Sequence, residues 1–320
     1  MITLQNVSKK YGEQLAVDHL NLTINEGEIC ILLGKSGCGK STTLKMINRL
    51  IEPTSGEIYV AGKKIHEYDI DSFRWNMGYA VQNVGLFPHM TVEHNIAIVP
   101  QMLKWDKEKI HSRVEEMLNL VGLDIDKYIR KYPAELSGGE AQRVGVARAL
   151  AADPQIVLMD EPFGALDPIN RVRLQNEFLK IQKYLHKTVV FVTHDIEEAI
   201  RLGDRIAIME QGVLKAYESP HKLLSENTSD FVKEFIGKDY MLKLLSRFKV
   251  SECVINNFSN DNPCESSIFE SDNLQSALAM MLQNSVIAMT VIDKDGHPTG
   301  QISIDAIFNK IKEEQNNYEK

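Results

Sequence analysis

The chain has 320 residues, of which 43% are hydrophobic and 25% charged, with a formal net charge of −8. That length accommodates one large domain and one small one, and the acidic balance argues against a nucleic-acid binder that relies on broad phosphate neutralisation. No apolar run approaches a membrane span, the start Met1–Gln5 lacks the layout of a secretion signal, and Cys30, Cys38, Cys253 and Cys264 show neither CxxC nor metal spacing, as expected for reduced thiols in a cytosolic protein.

The first informative element is the apolar run Ile29–Leu33, a buried strand by pattern, followed by Gly34, Lys35, Ser36, Gly37, Cys38, Gly39, Lys40 and Ser41 and a helical stretch from Thr42 to Ile47. Strand, glycine-rich loop and helix in that order make a phosphate-binding loop. Glycines let successive N–H groups turn inward on an anion, and the helix adds the positive end of its dipole. Lys40 is expected to reach the β- and γ-phosphates of ATP and Ser41 to ligate Mg²⁺.

Further along, Leu136 and Ser137-Gly138-Gly139-Glu140 precede a stretch with apolar residues at helical spacing. A Ser-Gly-Gly helix start is a second anion receptor, although in isolation it reads as an ordinary cap. Next comes Ile156–Asp160 with Glu161 and Pro162, a buried parallel strand ending in two carboxylates. Asp160 is placed to hold Mg²⁺ through a water, and Glu161 to polarise the water that attacks the γ-phosphorus.

Taken together, the phosphate loop, the Ser-Gly-Gly helix, the Asp-Glu strand and a later histidine resemble the nucleotide-binding subunit of ABC transporters over roughly the first three quarters of the chain. The resemblance implies an α/β P-loop cassette, a mixed sheet core plus a helical subdomain, over residues 1–237. It implies that Tyr11 stacks on adenine and that Thr42 joins the ATP contacts. Gln82 becomes the Q-loop glutamine that contacts Mg²⁺ and couples to membrane subunits, Asp167 the D-loop aspartate, and His194 the switch histidine at the γ-phosphate. Singly, these are turn packing, a polar loop residue, a helix cap and a hydrogen-bonded histidine; their register with the loops selects the functional reading. Two cassettes are expected to close head to tail, each serine–glycine helix covering the partner's ATP. Glu140 departs from the glutamine usual in the family, and a carboxylate near nucleotide is mildly unfavourable.

Without a spanning segment of its own, such a cassette implies separate integral membrane permease subunits, a peripheral place on the cytoplasmic face of the inner membrane, and an extracytoplasmic substrate-binding protein or fused binding domain. The stretch Gly78–Val92 is similar to importer Q-loop regions, and its apolar Leu86 and Phe87 suit a groove for a permease helix. The words around Asp160–Arg171, Thr193–Ala199 and Phe231–Gly237 are similar to the branch that imports osmoprotectants such as glycine betaine, carnitine and choline. Two alternatives stand beside it. A methionine-type importer fits the tail order less well, and a soluble ABC ATPase acting on ribosomes or DNA conflicts with the single cassette and the acidic charge.

Residues 238–320 follow a different pattern. A short helix is expected over Asp239–Phe248, a turn-rich stretch over 256–263, and a helix capped at Ser271–Asn273 carrying Leu274, Ala277, Leu278 and Met281. Strands are expected at Val286–Ile292 and Gln301–Ile304, then a helix from Asp305. This order resembles one CBS repeat, over about 248–312, in a small α+β domain. A lone repeat leaves apolar faces uncovered and is expected to pair with a partner's copy. The usual ribose-contacting Ser/Thr-x-x-Asp is one residue short at Ser303-Ile304-Asp305, so sensing and simple dimerisation both stay open.

Overall fold

A computed structural model describes the chain except for residues 82–84, 165, 224–228, 238–239, 256–265 and 318–320. The chain divides into two compact units, Met1–Asp195 with Leu202–Tyr217, and Ile196–Arg201 with Glu218–Lys320.

In the first unit, β1 (Ile2–Tyr11), β2 (Gln14–Ile24), β3 (Ile29–Leu33), β4 (Ser55–Val60), β5 (Lys63–Lys64), β6 (Met77–Ala80), β7 (Ile156–Asp160), β8 (Thr188–Thr193), β9 (Arg205–Glu210) and β10 (Val213–Glu218) form two sheets. One is four-stranded, in the order β2-β1-β4-β5, with β1 antiparallel to both neighbours. The other is six-stranded, β10-β9-β3-β8-β7-β6, and runs parallel from β9 through β6. Every residue of β3, β7 and β8 is buried. Continuous apolar runs of this kind are what a strand covered on both faces requires.

The register decides where the chemistry lies. Leu33 pairs with Thr193 and Asp160 with Val192, so the carboxyl ends of three adjacent strands, β3, β8 and β7, finish at one edge. Ligands of open parallel sheets bind at that edge. Phe191, fully buried, lies 5.7 Å from Phe163 and 6.5 Å from Phe178, ring centre to ring centre. These contacts hold β8 against the segment after β7 and the helix Pro168–Leu185, and burying a phenylalanine contributes about 2–3 kcal/mol. The helices Val92–Met102, Lys107–Leu120 and Gly138–Leu150 pack on one another, and Ile96, Val114, Leu118 and Val144 on them are buried. Thr91, Asp106 and Ser137 cap their first turns.

The second unit contains β11 (Ser267–Phe269), β12 (Ala288–Ile292) and β13 (Pro298–Ser303), in that spatial order. β11 and β12 are parallel, linked through the helix Leu274–Gln283; β13 returns antiparallel and leads into the helix Ile304–Asn317. Ile268, Met289, Val291 and Ile302 from the sheet and Leu274, Ala277, Met281 and Ile307 from the helices are buried in its core. The helix expected over Asp239–Phe248 is shorter. Tyr240–Leu244 is helical, and Leu245–Arg247 tightens into a 3₁₀ turn that buries Leu245 and Phe248 while Leu242 faces solvent. Tertiary packing of the last turn overrides the helical period there. The expected turn-rich stretch 256–263 lies outside the described residues.

Candidate nucleotide-binding site

The loop between β3 and the helix Lys40–Ile47 takes its shape from backbone that only glycine adopts comfortably. Gly37 and Gly39 have φ of 79° and 103°. Gly39 is the helix N-cap, and a Cβ there would lie 2.5 Å from the Ala16 carbonyl oxygen. The turn between β9 and β10 braces the loop from behind. There, the Gly212 amide donates to the Cys38 carbonyl at 3.2 Å and the Gly212 carbonyl accepts from the Asp18 amide at 2.9 Å. Gly34, Lys35, Ser36 and Cys38 complete the loop, and Thr42 and Thr43 follow in the helix, Thr43 Oγ1 donating back to Gly39 at 3.0 Å. Lys40 is only 5% exposed, its ammonium donating to the Gly34 and Lys35 carbonyls at 2.6 and 2.9 Å. A buried ammonium in a glycine-rich loop that opens a helix has the make-up of an anion receptor.

Ser41 and Asp160 meet directly, the Ser41 hydroxyl donating to Asp160 Oδ1 at 2.9 Å. Burial pushes the Asp160 carboxyl above its ordinary range, and the neighbouring Glu161 charge adds to this, while the Ser41 hydroxyl and the Lys45 and Lys40 ammoniums pull the other way. The Tyr79 phenol is pushed up to about 12 by burial and by the Asp160 charge. Among the described residues no group of three or more His, Cys, Asp or Glu is arranged to hold a metal. A hydroxyl beside a buried carboxylate suits Mg²⁺ instead, which takes its remaining ligands from phosphates and water.

Glu161 leaves β7 with a positive φ of 49°, unusual for a glutamate. Its amide donates to the Val192 carbonyl at 3.0 Å, and its own carbonyl accepts from Gln142 Nε2 at 3.0 Å. The backbone is thus held on both sides, and strain maintained by surrounding bonds is common at functional sites. The carboxylate is turned toward the end of β8, where His194 Nδ1 lies 3.1 Å from Oε1. The His194 side chain is 64% exposed and that of Glu161 22%, so the histidine is the more accessible member of the pair.

Ser137 caps the helix Gly138–Leu150 in a capping box. Its hydroxyl accepts from the Glu140 amide at 3.3 Å, and Glu140 Oε2 accepts from the Ser137 amide at 2.7 Å. Gly139 comes close to the segment before Asp167, since a Cβ there would lie 2.9 Å from Leu166 Cδ2. Asp167 caps the helix Pro168–Leu185, its Oδ1 accepting from the Asn170 amide at 3.0 Å and its Oδ2 from the Asn170 side chain at 2.7 Å. Tyr11 ends β1, half exposed, with Lys9 Nζ 5.2 Å from its ring centre. Gln82 lies outside the described residues.

One chain therefore joins Ser41 to Asp160 and Glu161 to His194, whereas the hydrogen bonds of Ser137 run within its own helix. Sequence reading missed the supporting residues. Gln142, buried in the helix after Ser137, carries no signal beyond helical spacing. Arg171 donates to the Leu166 carbonyl at 3.2 Å and lies 3.6 Å from Asp195, tying the segment before Asp167 to the one after His194. Tyr128 contacts Glu140 from a separate short helix.

The ABC transporter family pattern matches residues 17–164. The chain is 48% identical over 305 residues to the osmoprotectant import ATP-binding protein OsmV of Salmonella typhimurium, covering 94% of this chain and 78% of that protein. It is 45% identical over 308 residues to the glycine betaine/carnitine/choline transport ATP-binding protein OpuCA of Bacillus subtilis, covering 96% and 79%. Among solved structures, a dimeric ATP-binding cassette in a post-hydrolysis state with ADP and Pi matches 68% of this chain and 98% of its own, with 37% identity and a TM-score of 0.63.

Proposed function

The chain belongs to the ABC transporter ATP-binding family, and from that premise we propose how its residues energise the import of osmoprotectants of the glycine betaine, carnitine and choline type. It is the ATP-hydrolysing subunit of such an importer. The observation that carries the residue assignment is the convergence of Lys40, the Ser41–Asp160 pair and the Glu161–His194 pair at the carboxyl ends of three neighbouring strands.

In this reading the loop Gly34–Thr42 wraps the ATP phosphates, and Lys40 balances charge on the β- and γ-phosphates. Mg²⁺ would be held by Ser41, Asp160 and Gln82, and when bound it supplies neutralisation of phosphate charge. Glu161 accepts the proton of the attacking water, and His194, hydrogen-bonded to it, orients the γ-phosphate. Tyr11 offers its exposed ring to adenine. The Ser137–Glu140 helix start serves the ATP held by a second copy, with Asp167 at the same junction; related cassettes have been seen as dimers.

Importers of this family work with membrane permease subunits, and among the described residues no helix is long and apolar enough to cross a membrane. A groove of about 350 Å³, lined by Tyr79, Val81, Phe87, Ile98, Val99 and Arg148 among others, supports the expected docking of a permease helix. Asn95 fixes its rim, accepting from the Phe87 amide at 2.8 Å and donating to the Phe87 carbonyl at 3.2 Å. A place on the cytoplasmic face of the inner membrane and a separate or fused substrate-binding domain belong to the same proposal, as does the absence of nucleic acid among its partners. The division at 237/238 is likewise proposed, with residues of about 248–312 as a single CBS-like repeat. The β–α–β–β–α order of the second unit supports the last point, and Leu282, Ile287 and Phe308, 67%, 79% and 50% exposed, support pairing with a second copy.

Replacing Glu161→Gln tests the assignment. Phosphate release is expected to fall roughly 10²–10⁴-fold while Mg²⁺-ATP holds the chain as a dimer. Wild-type hydrolysis in that variant would overturn it.

A further inference from the structure

A glutamate in the first turn of the helix Gly138–Leu150, the end proposed to meet a partner's ATP, poses an electrostatic problem, because its charge opposes that of phosphate. The structure answers it inside one subunit. Glu140 Oε2 accepts from the Ser137 amide at 2.7 Å, and Oε1 accepts from the Tyr128 hydroxyl at 2.5 Å. Tyr128 is 8% exposed, held at the end of the helix Ile125–Tyr128, whose first turn Asp124 caps. The ammonium groups of Lys127 and Lys131 lie 5.2 and 4.5 Å from the centre of its ring. These contacts hold the Glu140 carboxyl down to about 2; the Tyr128 hydroxyl contributes most and the Ser137 amide next, and the Lys131 charge acts in the same direction.

We propose that Tyr128 is a positioning residue for the ATP-dependent dimer. Its hydroxyl locks Glu140 into the cap of the helix Gly138–Leu150, which presets Ser137, Gly138 and Gly139 for the partner's nucleotide and keeps the carboxylate engaged by donors of its own subunit. The capping box uses the Ser137 and Glu140 amides, and those of Gly138 and Gly139 take no part in it. Without the phenol, Glu140 keeps one of its two anchors and its carboxylate is free to turn toward incoming phosphate. This rests on the reading of Ser137–Glu140 as the in-trans half of the ATP site.

The test measures the dimer dissociation constant with Mg²⁺-ATP in a Glu161→Gln parent. Tyr128→Phe keeps the ring, and its loss of one charge-assisted hydrogen bond is expected to weaken the dimer about tenfold. In otherwise wild-type protein the same change raises KM for ATP by a similar factor and leaves kcat at saturating ATP within about twofold, because the hydroxyl is remote from the reacting atoms. In a Glu140→Gln background, where no charge remains to be restrained, Tyr128→Phe shifts the dimer by no more than about twofold. Lys131→Gln, which leaves the phenol in place, gives a smaller weakening of about two- to threefold, again only with Glu140 present. Equal effects of Tyr128→Phe with and without the Glu140→Gln change, or no effect in either background, overturn the positioning role. Absence of ATP-dependent dimers in the Glu161→Gln parent overturns the underlying reading and this proposal with it.

Discussion

Two helices in this molecule open on glycine, and they finish their N-termini in opposite ways. The helix Lys40–Ile47 starts at Gly39 in a left-handed conformation, with no side-chain cap and no acidic residue in its first turn. The helix Gly138–Leu150 starts at Ser137 with a full capping box and an acid, Glu140, in its first turn. The first leaves its amides and dipole for an external anion and encloses a lysine charge beside them. The second is largely satisfied by its own chain, and only the amides between Ser137 and Glu140 stay out of the cap. The proposed division of labour, one helix end holding phosphate by itself and the other acting only against a partner, rests on this difference in capping.

Removing the enclosed cation should abolish the contrast between the two helix ends most completely. Lys40→Ala is expected to lower kcat/KM for ATP by at least about 10³-fold, as loss of a group that balances transition-state charge should. A phosphate-release assay that finds less than a tenfold loss would place the phosphate charge elsewhere.

The two glycines themselves give the next largest contrast. Gly39→Ala forces a side chain into a φ of 103° and against the Ala16 carbonyl, so unfolding stability should drop by about 2–4 kcal/mol. Gly138 has open space around its Cβ position, and Gly138→Ala should be neutral or stabilising by up to about 1 kcal/mol. Urea unfolding of both variants tests this, and equal losses would contradict it.

The smallest effects concern the capped end. Ser137→Ala removes the side-chain acceptor at the N-cap and should cost about 1 kcal/mol. Glu140, with an ordinary value of 4.5 lowered to about 2 in the fold, contributes stability that is full above about 4.5. That contribution declines as pH falls and vanishes below about 2, because the unfolded chain then binds the proton first. The stability gap between wild type and Glu140→Gln should therefore narrow as pH drops through that window. A gap that widens would mean the carboxylate is not held as described.

Where the candidate residues are contiguous in the chain, the local elements beside them form as their pattern predicts. Gly34–Ser41, Ser137–Glu140 and Asp160–Glu161 each sit next to the strand or helix that positions them, so periodicity and turn chemistry place them locally. Sequence reading was weaker on Glu140, which sequence alone treats as a charge added near nucleotide and which the fold turns into a helix cap. The Tyr128–Glu140 bond joins residues 12 apart across a turn, and no helical or strand period encodes such a pair. The same holds for Gly212 behind Cys38 and for Gln142 beneath Glu161, whose partners come from other elements. In the second unit the order of strands and helices was legible. The shortening of the helix after Gly237 was not, because burial of Leu245 and Phe248 decided it.

The residue types are written in the chain alone: a glycine-rich loop, a lysine, a hydroxyl, paired acids and a histidine, in a fixed order. Which of them meet is settled only when the strands pair. Parallel pairing brings the ends of β3, β7 and β8 to one edge, so that Ser41 reaches Asp160 and His194 reaches Glu161 across 119 and 33 residues of chain respectively. The physical reason is that local pattern fixes what a backbone segment can become, whereas hydrogen-bond register between distant strands fixes what it stands beside.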